Sequence, residues 1–385
     1  MLNFNEIIST CRFEMYEGIR LDVPTLNDYL QCSAREWLET NGIGGYASSS
    51  ISGANTRKYH GLLVAALQPP VGRMVLLSKL VETVITEDTA YELDCNQFHG
   101  SVHPKGFQYL SAFVKGIFTE FTYQTGETEI VKTIFMPQGE NTTVIRYEVK
   151  KAKKEFTLKL KPFVAFRNYH SIMRANDSIQ RGYLFEKHIL KINPFEDSPL
   201  LYIAVPGALF SPQPDWYKGY VYQGEIDRGM ESEEDLFTHG DFFLRLKKGD
   251  VVSVIVSTED PKLKDGEKLY VAEKQRREKI VSLLKVKDQF ASSLALAADQ
   301  FVVKRGKNQK TIIAGYHWFS DWGRDTMIAL PGLCLSTGRY EDAKEILRAF
   351  GQYMNQGMIP NRFPDAGEEP DDGLWLFGVS RLLGH

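Results

Sequence analysis

Phe242-Phe-Leu-Arg-Leu246, Lys247-Lys-Gly-Asp250 and Val251-Val-Ser-Val-Ile-Val256 are the residues whose reading decides the fold. Two runs rich in β-branched and aromatic side chains flank a short polar segment. Gly249 can take a positive φ there, so the pattern predicts a β-hairpin. Working upstream, residues 142–150 are β-branched and partly alternating. Phe156-Thr-Leu-Lys-Leu-Lys161 alternates apolar with polar, the period of a half-buried strand. Many strands joined by short turns imply a large antiparallel β-sandwich. Working downstream, the character changes near residue 260. Residues 265–287 are charge-rich and lack Pro, with Leu269, Val271, Ile280, Leu283 and Leu284 set for one buried stripe. Phe290, Leu294, Ala297 and Phe301 predict a second helix. A third runs from Asp325 to about Cys334, kinked or shortened by Pro331. After Gly338, a fourth buries Ala343, Ile346, Leu347, Phe350 and Met354, and a fifth starts near Asp372. The expected organisation is therefore multidomain, β then α: a sandwich over 1–260, a helical linker over 261–287 and a helical domain over 288–385.

The chain has 385 residues, enough for two domains, and its 43% hydrophobic and 25% charged content is that of a globular protein. A formal net charge of -3 provides no basic footprint for nucleic acid and no polybasic membrane patch. Residues Met1–Glu6 lack the charged and apolar regions of a signal peptide, and no apolar run is long enough to span a bilayer. The cytoplasm is the expected location. Cys11, Cys32, Cys95 and Cys334 are far apart with no CxxC pair, which predicts free thiols in a reducing compartment.

Three segments carry candidate chemistry. Gly42, Gly44 and Gly45 lie in Asn41-Gly-Ile-Gly-Gly-Tyr46, which lacks the third glycine of a dinucleotide loop and the Lys-Ser/Thr of a P-loop. A tight turn between strands is expected. Arg57, Tyr59 and His60 could line a groove, and a satisfied structural role is the plainer reading for the histidine. Gly315-Tyr-His-Trp-Phe-Ser-Asp-Trp-Gly-Arg-Asp-Thr326 packs four aromatics, two Asp and one Arg ahead of a helix. Flat aromatic faces cover the C–H face of a pyranose. A planar arginine and an acidic acceptor address its hydroxyls, so Arg324-Asp325 is a sugar-binding candidate. Asp325 is equally placed to cap the helix, and Asp321 has no evident role beyond a turn. Residues 365–372 hold five carboxylates. The density suits a solvated loop, and the order is not that of an EF-hand. A catalytic role needs one carboxyl held in an apolar wall, for which Leu374, Trp375 and Phe377 are close by.

Together, Glu36-Trp-Leu with Asn41-Gly-Ile-Gly-Gly-Tyr-Ala-Ser-Ser-Ser50 and Arg57-Lys-Tyr-His-Gly61, the 315–326 block, and Pro360-Asn-Arg-Phe-Pro-Asp-Ala-Gly-Glu-Glu-Pro370 resemble the bacterial and archaeal type of glycogen debranching enzyme. The resemblance implies a β-sandwich joined to a glucoamylase-like (α/α)6 barrel. It implies an inverting amylo-α-1,6-glucosidase acting on glycogen or another branched α-glucan, with no cofactor and no metal. Trp318, Trp322, Arg324, Asp325 and Arg362 would bind the sugar. Asp371, before Leu374-Trp375, would be the general acid, with Asp365 and Asp372 as alternatives. A twelve-helix barrel needs on the order of 200 residues. The expectation is thus an incomplete barrel lacking the catalytic base, with apolar helix surface exposed. The alternatives are a truncated, non-catalytic glucan-binding protein and a glucoamylase-like hydrolase of α-1,4 ends.

Overall fold

The computed structural model describes residues 18–286, 288–354 and 361–363. Two antiparallel sheets dominate. One has nine strands, in the spatial order 19–22, 110–115, 119–125, 128–135, 142–151, 251–257, 201–204, 189–192 and 183–186. The other has eight. Its main path runs 209–221, 233–246, 156–168, 71–85, 61–68, 46–50 and 36–40, and strand 90–92 pairs with 71–85. Leu63, Leu76 and Leu158 from the second sheet share one apolar core with Ile134, Ile145 and Val254 from the first. The sandwich expected from period-2 patterning is present, with the facing sides of the two sheets packed on one core; residues 46–50 and 61–66 of the eight-stranded sheet are buried on their other face as well.

The segment at 242–256 is not a hairpin. Strand Glu233–Leu246 pairs with 156–168 and 209–221, while Val251–Ser257 pairs with 142–151 and 201–204 in the other sheet. The turn itself is as read: Gly249 has φ +90°, and Asp250 N–H donates to the Lys247 carbonyl at 3.1 Å. Yet Gly249 N–H donates to Val149 O and Val149 N–H to Asp250 O, at 2.9 and 3.0 Å. These bonds tie the turn to the nine-stranded sheet, so the chain crosses the sandwich instead of folding back. The glycine segment is the tight turn expected, joining Glu36–Thr40 to Tyr46–Ser50. Gly44 has φ +93°, and a Cβ there would meet Pro70 O at 2.2 Å.

Helix Gly266–Ser282 starts where Asp265 accepts from Glu267 N–H and Lys268 N–H. Its fully buried residues are Glu273 and Arg277, which share the expected face with half-buried Leu269, Ile280 and Leu284, while Val271 and Leu283 are exposed. That face is partly ionic because it meets the buried carboxylate of Glu39. Helix Gln289–Phe301 is rotated from expectation. It buries Ser292, Ala295, Ala298 and Asp299 and leaves Phe290 73% and Leu294 54% exposed. Small residues allow close approach to helix Gly266–Ser282 and the turn at Pro331–Leu335, and Asp299 takes Arg276 and Arg339 as partners at 2.8 and 2.7 Å. Ile328 is exposed as well. Helix Gly323–Leu330 runs into a wider turn at Pro331–Leu335. Helix Tyr340–Gly351 follows Gly338 (φ +76°) and buries Ala343, Ile346, Ala349 and Phe350. The expected helix near Asp372 lies outside the described residues.

One element was not foreseen. Val302–Arg305 and Gln309–Ile312 form a two-stranded hairpin. Successive side chains of a strand point to opposite faces. Val303 and Ile313 accordingly join Tyr46, Tyr59, Phe163 and Tyr169 on the outer face of the eight-stranded sheet. Val302 and Ile312 join Met327, Leu330, Ile346 and Phe350 in a separate helical core. Cys32, Cys95 and Cys334 are buried and unpaired, and Cys11 lies outside the described residues. No helix among the described residues is long and apolar enough to cross a membrane.

Glu39 is fully buried, with Arg277 at 2.7 Å, a second ion pair to Lys115 and a hydrogen bond from Thr119 at 2.6 Å. Burial pushes its carboxyl up, but Arg277 and Lys115 more than offset this and hold it below the ordinary value. Glu39→Ala leaves two cations without their partner, and we expect a loss of about 3–5 kcal/mol in urea unfolding. A depressed pKa stabilises the fold above the unfolded value of about 4.3 and is lost as pH falls through the folded value. The wild type should therefore lose urea resistance below about pH 4 more steeply than Glu39→Gln.

Candidate functional site

The 315–326 block lies on the outer face of the eight-stranded sheet, and its chain path is set by backbone bonds. Phe319 N–H donates to Gly315 O at 2.8 Å and Ala314 N–H to Ser320 O at 2.9 Å, closing a compact loop. Asp321, 1% exposed, bridges to Ile313 through its backbone and accepts from Arg305 Nη1 at 2.6 Å. Burial raises its pKa, against the pull of Arg305. Asp321 is thus an anchor that the sequence pattern concealed.

The aromatics divide. Tyr316 is buried and its hydroxyl donates to Gln300 O at 2.8 Å. The half-buried Trp318 packs on the β part. The guanidinium groups of Arg57 and Arg228 lie 4.8 and 5.4 Å from its ring, and Tyr59 meets it edge-on at 6.0 Å. Phe319 is 49% exposed, with its ring 6.0 Å from that of the half-buried Trp322. Arg324 and Asp325 follow on the first turn of helix Gly323–Leu330, both exposed.

Asp325 does not cap that helix. It sits inside the first turn, where its charge suits the helix dipole. The cap comes from the second block: Asn361 Oδ1 accepts from Arg324 N–H at 3.1 Å, and Asn361 O accepts from Gly323 N–H at 2.6 Å. Trp322 and Arg362 form an antiparallel backbone bridge. Arg362, distant in sequence, is thereby brought beside the segment that carries Trp322, Arg324 and Asp325. Trp318 is drawn toward the sheet. Asp371, Asp365 and Asp372 lie outside the described residues. The Pro-Asn-Arg-Phe run held the signal for Asn361, since Asn is a preferred capping residue; its target could not be read.

Glu36, His60 and His317 place three ligand-type atoms within 4.8 Å of one another. The hydrogen bonds give each imidazole a tautomer. Thr56 N–H donates to His60 Nδ1 at 3.1 Å, so in the neutral ring Nε2 carries the proton, facing Glu36 at 3.3 Å. The Ser48 hydroxyl donates to Trp37 O at 2.7 Å and so accepts from His317 Nε2 at 2.9 Å. Burial, with His60 next in weight, pushes the His317 pKa down to about 3. With His60 Nε2 protonated the trio is not a ready cation cage, and the tie between the β part and the loop is the His317–Ser48 hydrogen bond. His60 is held through Nδ1 by Thr56, while its Nε2 faces Glu36 without a hydrogen bond.

The family described as "Glycogen debranching enzyme N terminal" matches residues 35–253, and that described as "Amylo-alpha-1,6-glucosidase" matches residues 296–375. The chain belongs to the glycogen debranching enzyme family. A glycogen debranching enzyme of Saccharomyces cerevisiae is 36% identical over 104 residues, 23% of this chain and 7% of that protein. The chain thus matches a small part of that relative's length. Among solved structures, a bacterial glucoamylase complexed with acarbose aligns at TM-score 0.44 and 12% identity, over 90% of this chain and 52% of that one. A putative kojibiose phosphorylase from human microbiome aligns at 0.33 and 10%, over 74% and 37%.

Asn361→Ala removes the side-chain acceptor at the start of helix Gly323–Leu330. We expect a loss of about 1 kcal/mol in chemical denaturation, with Asn361→Asp near wild type because its carboxylate still accepts.

Proposed function

We propose that this chain forms the sugar-binding part of a glycoside hydrolase that removes single glucose stubs joined α-1,6 to glycogen or a limit dextrin. The observation that supports this most is the pairing of the two motif blocks through Trp322, Arg362 and Asn361. It sets an aromatic ring, a planar donor and a carboxylate acceptor at one helix start, the set a pyranose with several hydroxyls requires. In this reading Trp322, Arg324, Asp325 and Arg362 hold the non-reducing-end glucosyl unit. The β part, taken as 1–260, supports the loop across a linker at 261–287, and 288–385 opens a helical barrel. Trp318 acts by packing against the β part rather than by stacking on sugar.

Asp371 is the proposed general acid. It would protonate the glycosidic oxygen as that bond to the anomeric carbon breaks. A water oxygen adds to the opposite face, and a second carboxylate takes the water proton, giving free glucose with inversion. The family match over 296–375 favours α-1,6 stubs over linear α-1,4 ends.

The test measures glucose released from a β-limit dextrin whose outer branches are trimmed to single stubs, beside linear maltoheptaose, with binding followed by affinity electrophoresis. Trp322→Ala and Asp325→Asn should weaken dextrin retention by roughly 10- to 100-fold, the effect of losing a ring face or a charge-assisted hydrogen bond. Faster glucose release from maltoheptaose would instead make the chain a hydrolase of α-1,4 ends. Failure of the wild type to be retained on dextrin would overturn the sugar-binding reading.

A further inference from the structure

Arg73 lies on strand Val71–Ile85 and is 2% exposed, the largest of the fully buried side chains. It makes no ion pair among the described residues. Its guanidinium is ringed by Tyr316, Tyr169 and Tyr46, whose centroids lie 5.2, 5.5 and 5.8 Å away. Nη1 donates to the Phe319 carbonyl at 3.0 Å, while Nε and Nη2 meet no acceptor. A buried, unpaired cation is costly to a fold, and an apolar side chain of similar length would pack at the same place with less penalty. The three ring faces recover part of that cost, as a cation over an aromatic face does. They carry no directional information. The one directional bond goes to the loop.

We propose that Arg73 is a positioning residue: it fixes the Phe319 carbonyl, and through it the approach of Trp322 and Arg324-Asp325 to bound glucan. The link is short. Phe319 lies three residues before Trp322, and their rings are 6.0 Å apart. The preceding residue is tied to the same strand pair, with Tyr169 OH donating to Trp318 O at 3.4 Å and Tyr169 N–H to Arg73 O at 3.2 Å. The β part therefore holds the loop by two successive carbonyls. A lysine would keep the charge and lose the planar fork, and a methionine would lose both. The consequence for glucan rests on the sugar-binding role proposed above, whereas the hold on the loop does not.

The experiment compares wild type, Arg73→Met and Arg73→Lys as the full 385-residue chain. Hydrogen exchange of residues 313–326 reads the loop, thermal melting reads the fold, and retention on immobilised β-limit dextrin reads binding. We expect exchange confined to 313–326 to quicken about tenfold in both variants. Arg73→Met should melt no lower than wild type, and dextrin retention should weaken about tenfold. That separation of stability from binding is what a merely structural arginine would not produce. Unchanged loop exchange in both variants overturns the proposal. So does faster exchange spread along 71–85 with a lower melting temperature, since Arg73 would then serve the core. Quickened loop exchange in a protein whose wild type does not retain dextrin supports the positioning role and overturns the glucan reading.

Discussion

Glu39 is the carboxylate from which the connection between the β and helical parts can be traced. It sits on strand Glu36–Thr40 and takes Lys115 from the other sheet and Arg277 from helix Gly266–Ser282. Arg277 and Arg276 share Glu273, and Arg276 reaches Asp299 at 2.8 Å. Arg339 takes Asp299 at 2.7 Å and Asp342 at 2.6 Å, and Lys310 pairs with Asp342 and Glu345. An unbroken chain of alternating charges thus runs from the sandwich to the helix Tyr340–Gly351. Ion pairs in such a chain fix geometry, because each member left without its neighbour would be a buried or half-buried charge. Apolar contacts tolerate sliding, whereas these do not. This explains why helix Gln289–Phe301 turns Asp299 inward and leaves Phe290 and Leu294 outside.

The hairpin Val302–Ile312 serves the same end by apolar means. One of its faces belongs to the sheet's outer cluster and the other to the helical core, so it joins two cores without merging them. The aromatic block 315–326 begins three residues beyond it. Ile313 N–H bonds to Phe301 O, and Lys304 N–H bonds to Gly42 O in the glycine turn, at 3.0 and 2.9 Å. The loop is therefore referenced to the sandwich at its start, at Arg73 and at His317. On the far side Asn361 references it to the second block. A site for a polyhydroxy ring needs such fixing, since hydroxyl recognition depends on positions held within about half an ångström.

Much of the β part was legible because period-2 burial leaves a plain trace: 142–150 and 156–161 are strands, and Gly249, Gly42 and Gly44 take positive φ. Pairing partners were not legible. The pattern at 242–256 is the same for a hairpin and for a crossing between sheets, and only the bonds to Val149 distinguish them. The helices at 266–282 and 289–301 were placed correctly; the first presents the expected face, with ionic Glu273 and Arg277 added between its apolar residues, and the second is rotated. Hydrophobic periodicity assumes an apolar neighbour, and Asp299 of the second helix instead meets an arginine pair. In the candidate site, residue types singled out Arg324-Asp325, the resemblance added Trp322 and Arg362, and the backbone bridge that joins Trp322 to Arg362 could not be read from either. Nothing local marked Arg305 as the partner of Asp321, or Arg73 beyond its being a charge in the apolar run Val71–Leu77.

The 315–326 block puts one set of residue types to buried and exposed use, and the direction of each side chain decides which. The Tyr316 hydroxyl bonds to Gln300 O on helix Gln289–Phe301, His317 bonds to Ser48 of the sandwich, and the Trp318 ring lies against Arg57 and Arg228. Phe319, Arg324 and Asp325 remain exposed beside the half-buried Trp322. An aromatic-rich motif is thus partly a plug that seals the outer face of the sheet. Composition cannot separate plug from pocket, because burying a ring against protein and covering a sugar draw on the same apolar area. What separates them is whether the polar edge is already committed. Tyr316 has its polar edge committed to helix Gln289–Phe301 and His317 to the sandwich, so both serve packing.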